Sequence, residues 1–340
     1  MDTRAENVSP EHTVVIPWTR SFAIGVVVAV VVILAASRGN VDRMTIGDGL
    51  LYRYVAAHLD ITQGKLDPLV AHSGPSLRYG RIGLPAALWL ASGGQPGLMK
   101  YAQPTIMVVS AGAIAIAASM LFPELGLGSA LLPFLAIGLT LSVSGGYPEA
   151  LVCAFGLWSL VAIRRQRWLA AAILLALAMF TRETSILFLA GAGLWLIRRR
   201  EFRHAVVLAS SVLPVMAWHV VVATRFGHLP VFDPWWRTGG FRPIPFSSIA
   251  RVLTGYPSGA RVIAFLHLAL AALAVVFLVK RVSLLTLVAV VTALQLAVVP
   301  LPTWDYLGDS VRVFASFELM VIFAAAETRG TLAGVIRQPA

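Results

Sequence analysis

Asp48 stands between two glycines in TIGDGLLYRY, residues 45–54, and a helix starting there puts Tyr52 one turn further on. Flanking glycines let a backbone approach a ligand closely, and an aspartate at a helix start favours the dipole. A plain N-cap for LLYRYVAAHL accounts for the same residue. Asp42, Arg43, Arg53, Tyr54, Asp60, Arg78, Tyr79 and Arg81 belong to the same polar stretch. Tyr147 and Glu149 follow in SGGYPEALV, Arg182 and Glu183 in MFTRETSIL, and Asp305, Asp309 and Arg312 in PTWDYLGDSVRVFASFE. Each has a structural alternative. Glu149 can cap its own helix, Arg182 can pair with Glu183 or snorkel to headgroups, and Arg312 can pair with Asp309. Read together, the carboxylates could accept a proton and the guanidiniums could hold a phosphate. Trp235 and Trp236, beside Arg237, suit an interfacial belt or a rim that stacks on sugar or lipid.

The elements that must position these residues are apolar helices. Of 340 residues, 58% are hydrophobic and 13% charged, against about a quarter charged in a soluble domain. The mean hydropathy is +0.80. Apolar runs at 21–37, 101–122, 128–144, 149–163, 168–181, 184–198, 204–223, 260–279, 282–300 and 311–327 approach the roughly 20-residue length of a membrane helix. Helix is the spanning state that pairs every backbone group internally. The expected fold is an all-α polytopic transmembrane bundle of about ten spans, one domain over 1–340 without repeats. The first run is expected to be a retained helix rather than a cleaved signal.

The net charge of +11 does not point to nucleic acid, because the arginines gather in short junctions between apolar runs. Arg164, Arg165 and Arg167, then Arg198, Arg199, Arg200 and Arg203, then Lys280 and Arg281, then Arg329 and Arg337 mark one side, expected to be cytoplasmic with both termini. The opposite side then receives loop 38–100 with interfacial helices, loop 224–259, and every candidate residue above. Within the first loop, 82–95 reads as a re-entrant or interfacial helix, too short to span. Glu318, inside the last run, is expected to face protein rather than lipid. His219 and His267 read as satisfied core residues. Cys153 stands alone, which excludes an internal disulfide framework and any cysteine-built zinc site. The sequence holds no GxxxxGK, HExxH, GxSxG or EF-hand spacing.

GDGLLYRYVAAHL, LRYGRIGLPAALWLASGG and GYPEALVCAFGLWSLVAIRRQRWLAAAILLALAMFTRETSIL resemble the bacterial GT-C-type membrane proteins linked to cell-surface glycopolymer formation. They are more distantly similar to the PIG-V-type mannosyltransferases. The resemblance covers roughly residues 20–200, with a weaker match around Trp304–Arg312. It implies a GT-C-like fold and a glycosyltransferase that takes a sugar from a polyprenyl-phosphate carrier, on the extracytoplasmic face of a bacterial cytoplasmic membrane. It further implies Asp48 as general base. Arg182 or Arg312 would hold the lipid phosphate, and Tyr52, Arg78, Tyr79, Arg81, Tyr147, Glu149 and Glu183 would complete the substrate site. The chain departs from the superfamily in lacking an adjacent acidic pair, since Asp42 is six residues from Asp48; a divalent cation stays open as a cofactor. Two other readings use the same residues: a transporter or flippase for a lipid-linked glycan, and a non-catalytic subunit of a surface-polymer assembly complex with protein partners.

Overall fold

The computed structural model describes residues 17–40, 48–60, 74–233, 246–298, 304 and 311–336, with 330–336 given by backbone alone. Asp42, Arg43, Trp235, Trp236, Arg237, Asp305 and Asp309 lie outside these residues. Among the described residues the chain is helical and contains no strand. In order the α-helices are α1 (Trp18–Ser37), α2 (Asp48–Ala57), α3 (Pro75–Gly80), α4 (Gly83–Ala91), α5 (Met99–Leu121), α6 (Gly128–Leu131), α7 (Ile137–Gly145), α8 (Pro148–Arg164) and α9 (Trp168–Thr181). They continue as α10 (Ile186–Arg198), α11 (Phe202–Ala209), α12 (Val212–Phe226), α13 (Ser247–Gly255), α14 (Ser258–Lys280), α15 (Leu284–Thr292), α16 (Gln295–Val298) and α17 (Ala315–Ile336).

Among the described residues four stretches are long and apolar enough to cross a membrane: Trp18–Ser37, Pro96–Leu121, Phe202–Phe226 and Ser258–Lys280. Three of them bury only 22% of their apolar window inside the protein. Side chains such as Val27, Val31, Leu213, Val262 and Val279 therefore lie exposed on their surfaces, which only an apolar solvent accommodates in such number. Among the described residues a bent pair adds one further candidate span. Length and composition thus confirm up to five spans and leave the expectation of about ten unconfirmed. The runs over α8, α9 and α10 fold as helices of 17, 14 and 13 residues, about 20–25 Å at 1.5 Å per residue, short of a ~30 Å hydrocarbon core. Segment 82–95 forms the nine-residue α4 and a turn.

The bent pair positions the site. Gly128–Leu135, which is α6 and a 3₁₀ turn, meets α7 at 83°. Pro133 opens that turn without an N–H to donate, and Ala136 is extended, with φ −73° and ψ 108°. The orphaned start of α7 finds its acceptor in α17: the Gly138 N–H donates to Glu318 Oε2 over 2.8 Å. The other oxygen, Oε1, lies 3.0 Å from His267 Nε2. His267 Nδ1 lies 2.8 Å from the Ile263 carbonyl, which only accepts, so Nδ1 carries a proton. Glu318 and His267 are buried among protein side chains, not turned to lipid. Gly138 is required here because a Cβ would sit 2.5 Å from the Val311 carbonyl oxygen.

Polar residues collect at the two ends of the bundle. At one end, Arg164 donates to the Leu121 carbonyl and to Glu327 over 2.8 and 2.9 Å. Glu327 also accepts from the Ser283 hydroxyl over 2.5 Å. Trp168 and His204 stack there with ring centroids 4.2 Å apart, which brings the 164–168 and 198–204 junctions together. The candidate residues lie at the other end.

Candidate anion site

Asp48 is the first residue of α2, and both its carboxylate oxygens are engaged by guanidiniums from distant segments. Arg78, on α3, donates to Oδ1 over 2.6 Å, and Arg312 donates to Oδ2 over 2.6 Å. The second arm of Arg312 reaches Glu149 Oε1 at 3.2 Å, and Arg182 pairs with the same oxygen. Alternating charges thus run Arg78–Asp48–Arg312–Glu149–Arg182. Arg78, Arg312 and Glu149 are 4%, 5% and 3% exposed, whereas the Asp48 side chain remains partly open, at 24%. The Nε of Arg182 is buried and has no hydrogen-bond partner among the described residues.

Local sequence explains these positions. Pro148 at the first turn of α8 suits a helix start and places Glu149 where the dipole favours an anion. Ser142, on α7, accepts the Ala150 N–H over 2.9 Å, which couples the end of α7 to the start of α8. Gly146 adopts φ +68° between them, and a Cβ there would lie 2.7 Å from the Gln103 amide nitrogen. That nitrogen donates to the Gly146 carbonyl over 2.7 Å. The resulting turn presents the Tyr147 ring to the Arg312 guanidinium, 3.9 Å from the ring centroid.

Beside this chain, Arg81 grips Glu183 through two parallel donors, Nε to Oε2 at 2.7 Å and Nη2 to Oε1. Tyr52 is buried close to Arg81 and has the Arg78 guanidinium 5.7 Å from its ring centroid. Arg182 and Glu183, adjacent in sequence, therefore take different partners, not each other as the local-pair alternative supposed. No family model, no curated protein and no solved structure matches the chain.

Nine of the ten expected site residues converge: Asp48, Tyr52, Arg78, Arg81, Tyr147, Glu149, Arg182, Glu183 and Arg312. Tyr79 does not. Its hydroxyl donates to the His58 carbonyl over 2.8 Å, and its ring joins Leu51, Val55 and Val222 in a separate apolar cluster. Sequence reasoning missed Gln103, which accepts from Arg53 Nε over 2.8 Å and so links Arg53 to the Gly146 turn. A buried amide within an apolar run was the available signal. It also missed Asp233, which accepts the Ser76 and Leu77 N–H groups at 3.1 and 3.3 Å and fixes the start of α3.

Burial pushes the Asp48 carboxyl up, but Arg78 and Arg312 outweigh it and hold it well below the usual carboxylate range. Among the described residues no group of three or more His, Cys, Asp or Glu could hold a metal ion. The chemistry on offer is that of guanidiniums around a small anion, with carboxylates beside it.

Proposed function

We propose that the chain is a polytopic GT-C-type glycosyltransferase of a bacterial cytoplasmic membrane. It moves a sugar from a polyprenyl-phosphate carrier to a cell-envelope glycopolymer or lipid acceptor on the extracytoplasmic face. The observation that carries the reading is the largely buried Arg78–Asp48–Arg312–Glu149–Arg182 chain, partly open at Asp48, at the end of the bundle opposite Arg164 and Arg281. The shorter helices α8, α9, α10 and α15 count as spans on this reading, with local bilayer thinning over them. In the reaction an acceptor oxygen attacks the anomeric carbon and the carbon–oxygen bond to phosphate breaks. The bonding pair leaves with the phosphate, where guanidiniums stabilise the charge, and the acceptor proton passes to Asp48.

The test is transfer by purified protein in micelles from a panel of polyprenyl-phosphate sugars. Asp48→Asn keeps the size of the side chain but accepts no proton, so the rate should fall about 10²–10⁴-fold; because it also removes the charge that Arg78 and Arg312 engage, thermal stability is measured alongside and only the folded variant is assayed. A wild type that transfers nothing from a broad panel retires the reading. A second reading, a transporter for a lipid-linked glycan, draws on the broken span at Ala136, with Glu318 and His267 at the break. It predicts no product in micelles and movement of the glycan lipid across sealed vesicles.

A further inference from the structure

Resting on the reading of this end of the bundle as a phosphate-lipid site, we infer that Asp48 and Glu149 are occupants of the anion positions. The phosphoryl group of the carrier takes Arg78, Arg312 and Arg182 from them, so that Asp48 becomes available as a base only once the carrier is bound.

Three features point to exchange. The first is charge. Among the described residues Arg81 pairs with Glu183, and three guanidiniums, those of Arg78, Arg312 and Arg182, converge on the two carboxylates of Asp48 and Glu149. A phosphodiester would stand among the same guanidiniums as an anion, which matters where side chains are largely withdrawn from water. The second is donor geometry. Arg312 shares its two arms between Asp48 Oδ2 and Glu149 Oε1, at 2.6 and 3.2 Å, and Arg182 Nε is buried without an acceptor among the described residues. A phosphoryl group offers several acceptor oxygens on one centre, which suits guanidiniums converging from three segments. The third is basicity. Clamped between Arg78 and Arg312, the Asp48 carboxylate is held well below the usual range and is a poor proton acceptor. Once a phosphate has engaged those two arginines, the same carboxylate regains ordinary basicity. Catalytic competence is then conditional on donor binding, and bound carrier is never exposed to an already active base.

Exchange has a signature of opposite sign from ordinary ligand contact. With the full chain in detergent at pH 7 and fixed ionic strength, binding of a short-chain prenyl monophosphate and of inorganic phosphate is measured by titration calorimetry. Asp48→Asn and Glu149→Gln should each tighten binding, by about tenfold, because a competing charge is removed. Arg312→Gln should weaken it by at least as much. Unchanged or weaker binding by folded Asp48→Asn overturns the inference. If that variant does not fold, the wild type decides. Sulfate, which has no proton to exchange in this range, should bind at about pH 4, near the ordinary aspartate value, with proton uptake by the released carboxylate, seen as a heat that depends on buffer ionisation. Sulfate binding without uptake, or no binding, overturns it. Equal affinity for the two phosphates, with the Asp48→Asn gain intact, leaves the exchange standing and retires the lipid carrier, so the two readings fail separately.

Discussion

Arg182 and Glu183 show what a side chain's sequence neighbours do and do not reveal. Their cost inside an apolar run says that both must be satisfied. Only the fold says that Arg81, 102 positions away, serves Glu183, and that Glu149 serves Arg182. Tyr79 shows the converse. It lies between two site arginines in LRYGR, but in the short α3 its hydroxyl points to His58 and its carbonyl accepts from Trp218. Tyr79→Phe should therefore leave phosphate affinity and sugar transfer at wild-type values while costing about 1 kcal/mol for the lost hydrogen bond, read as a small drop in thermal midpoint. A variant that binds phosphate several-fold more weakly would put Tyr79 back in the site. Residue types and sidedness were legible in the sequence; partners were not, because guanidinium reach and backbone direction fix them.

Among the elements, α7 was visible only as part of an apolar run at 128–144. The break at Ala136 was not, although LLPFLAIG carries its cause in Pro133. What holds the break is not local: Glu318 and His267 come from α17 and α14. Glu318→Gln keeps an acceptor for Gly138 and offers an amide hydrogen to His267, so its thermal midpoint should stay close to wild type. Glu318→Ala strands the Gly138 N–H and His267 Nε2 in an apolar interior, at about 1–3 kcal/mol per group, and should unfold markedly earlier in a detergent melt. Equal damage by both substitutions would mean that the carboxyl group itself, not the hydrogen-bond geometry, is essential. Because Ser142 lies on the same helix and Gly146 caps its end, loosening its start should also reduce phosphate affinity.

At the scale of the whole molecule, charge asymmetry carried most of the legible information. The junctions 164–168 and 198–204 meet through Trp168 and His204, and Arg164 pairs with Glu327 near the end of α17, all at the end away from Asp48. The number of spans was less legible. Hydropathy measures apolar content, whereas helix length depends on where prolines, glycines and charged turns interrupt it. On the proposed reading the arginine-rich end faces the cytoplasm. Gln95→Cys, exposed near the start of α5, should react with an impermeant maleimide on intact cells, and exposed Gln166→Cys only after lysis. The reverse pattern would invert the topology and move the proposed site inside. Native Cys153 is buried and should stay silent in both.

The Asp48–Arg312 contact joins residues 264 positions apart, and this separation bears on biosynthesis. While the chain is being made, α2 and the start of α8 enter the membrane long before Arg312 leaves the ribosome. Until then Asp48 and Glu149 lack the guanidinium that bridges them, and the anion-binding end of the bundle is incomplete. A chain released early, anywhere short of residue 312, would insert most of its helices yet assemble no such site. The Asp48–Arg312–Glu149 bridge is thereby acquired only after residue 312 has been made.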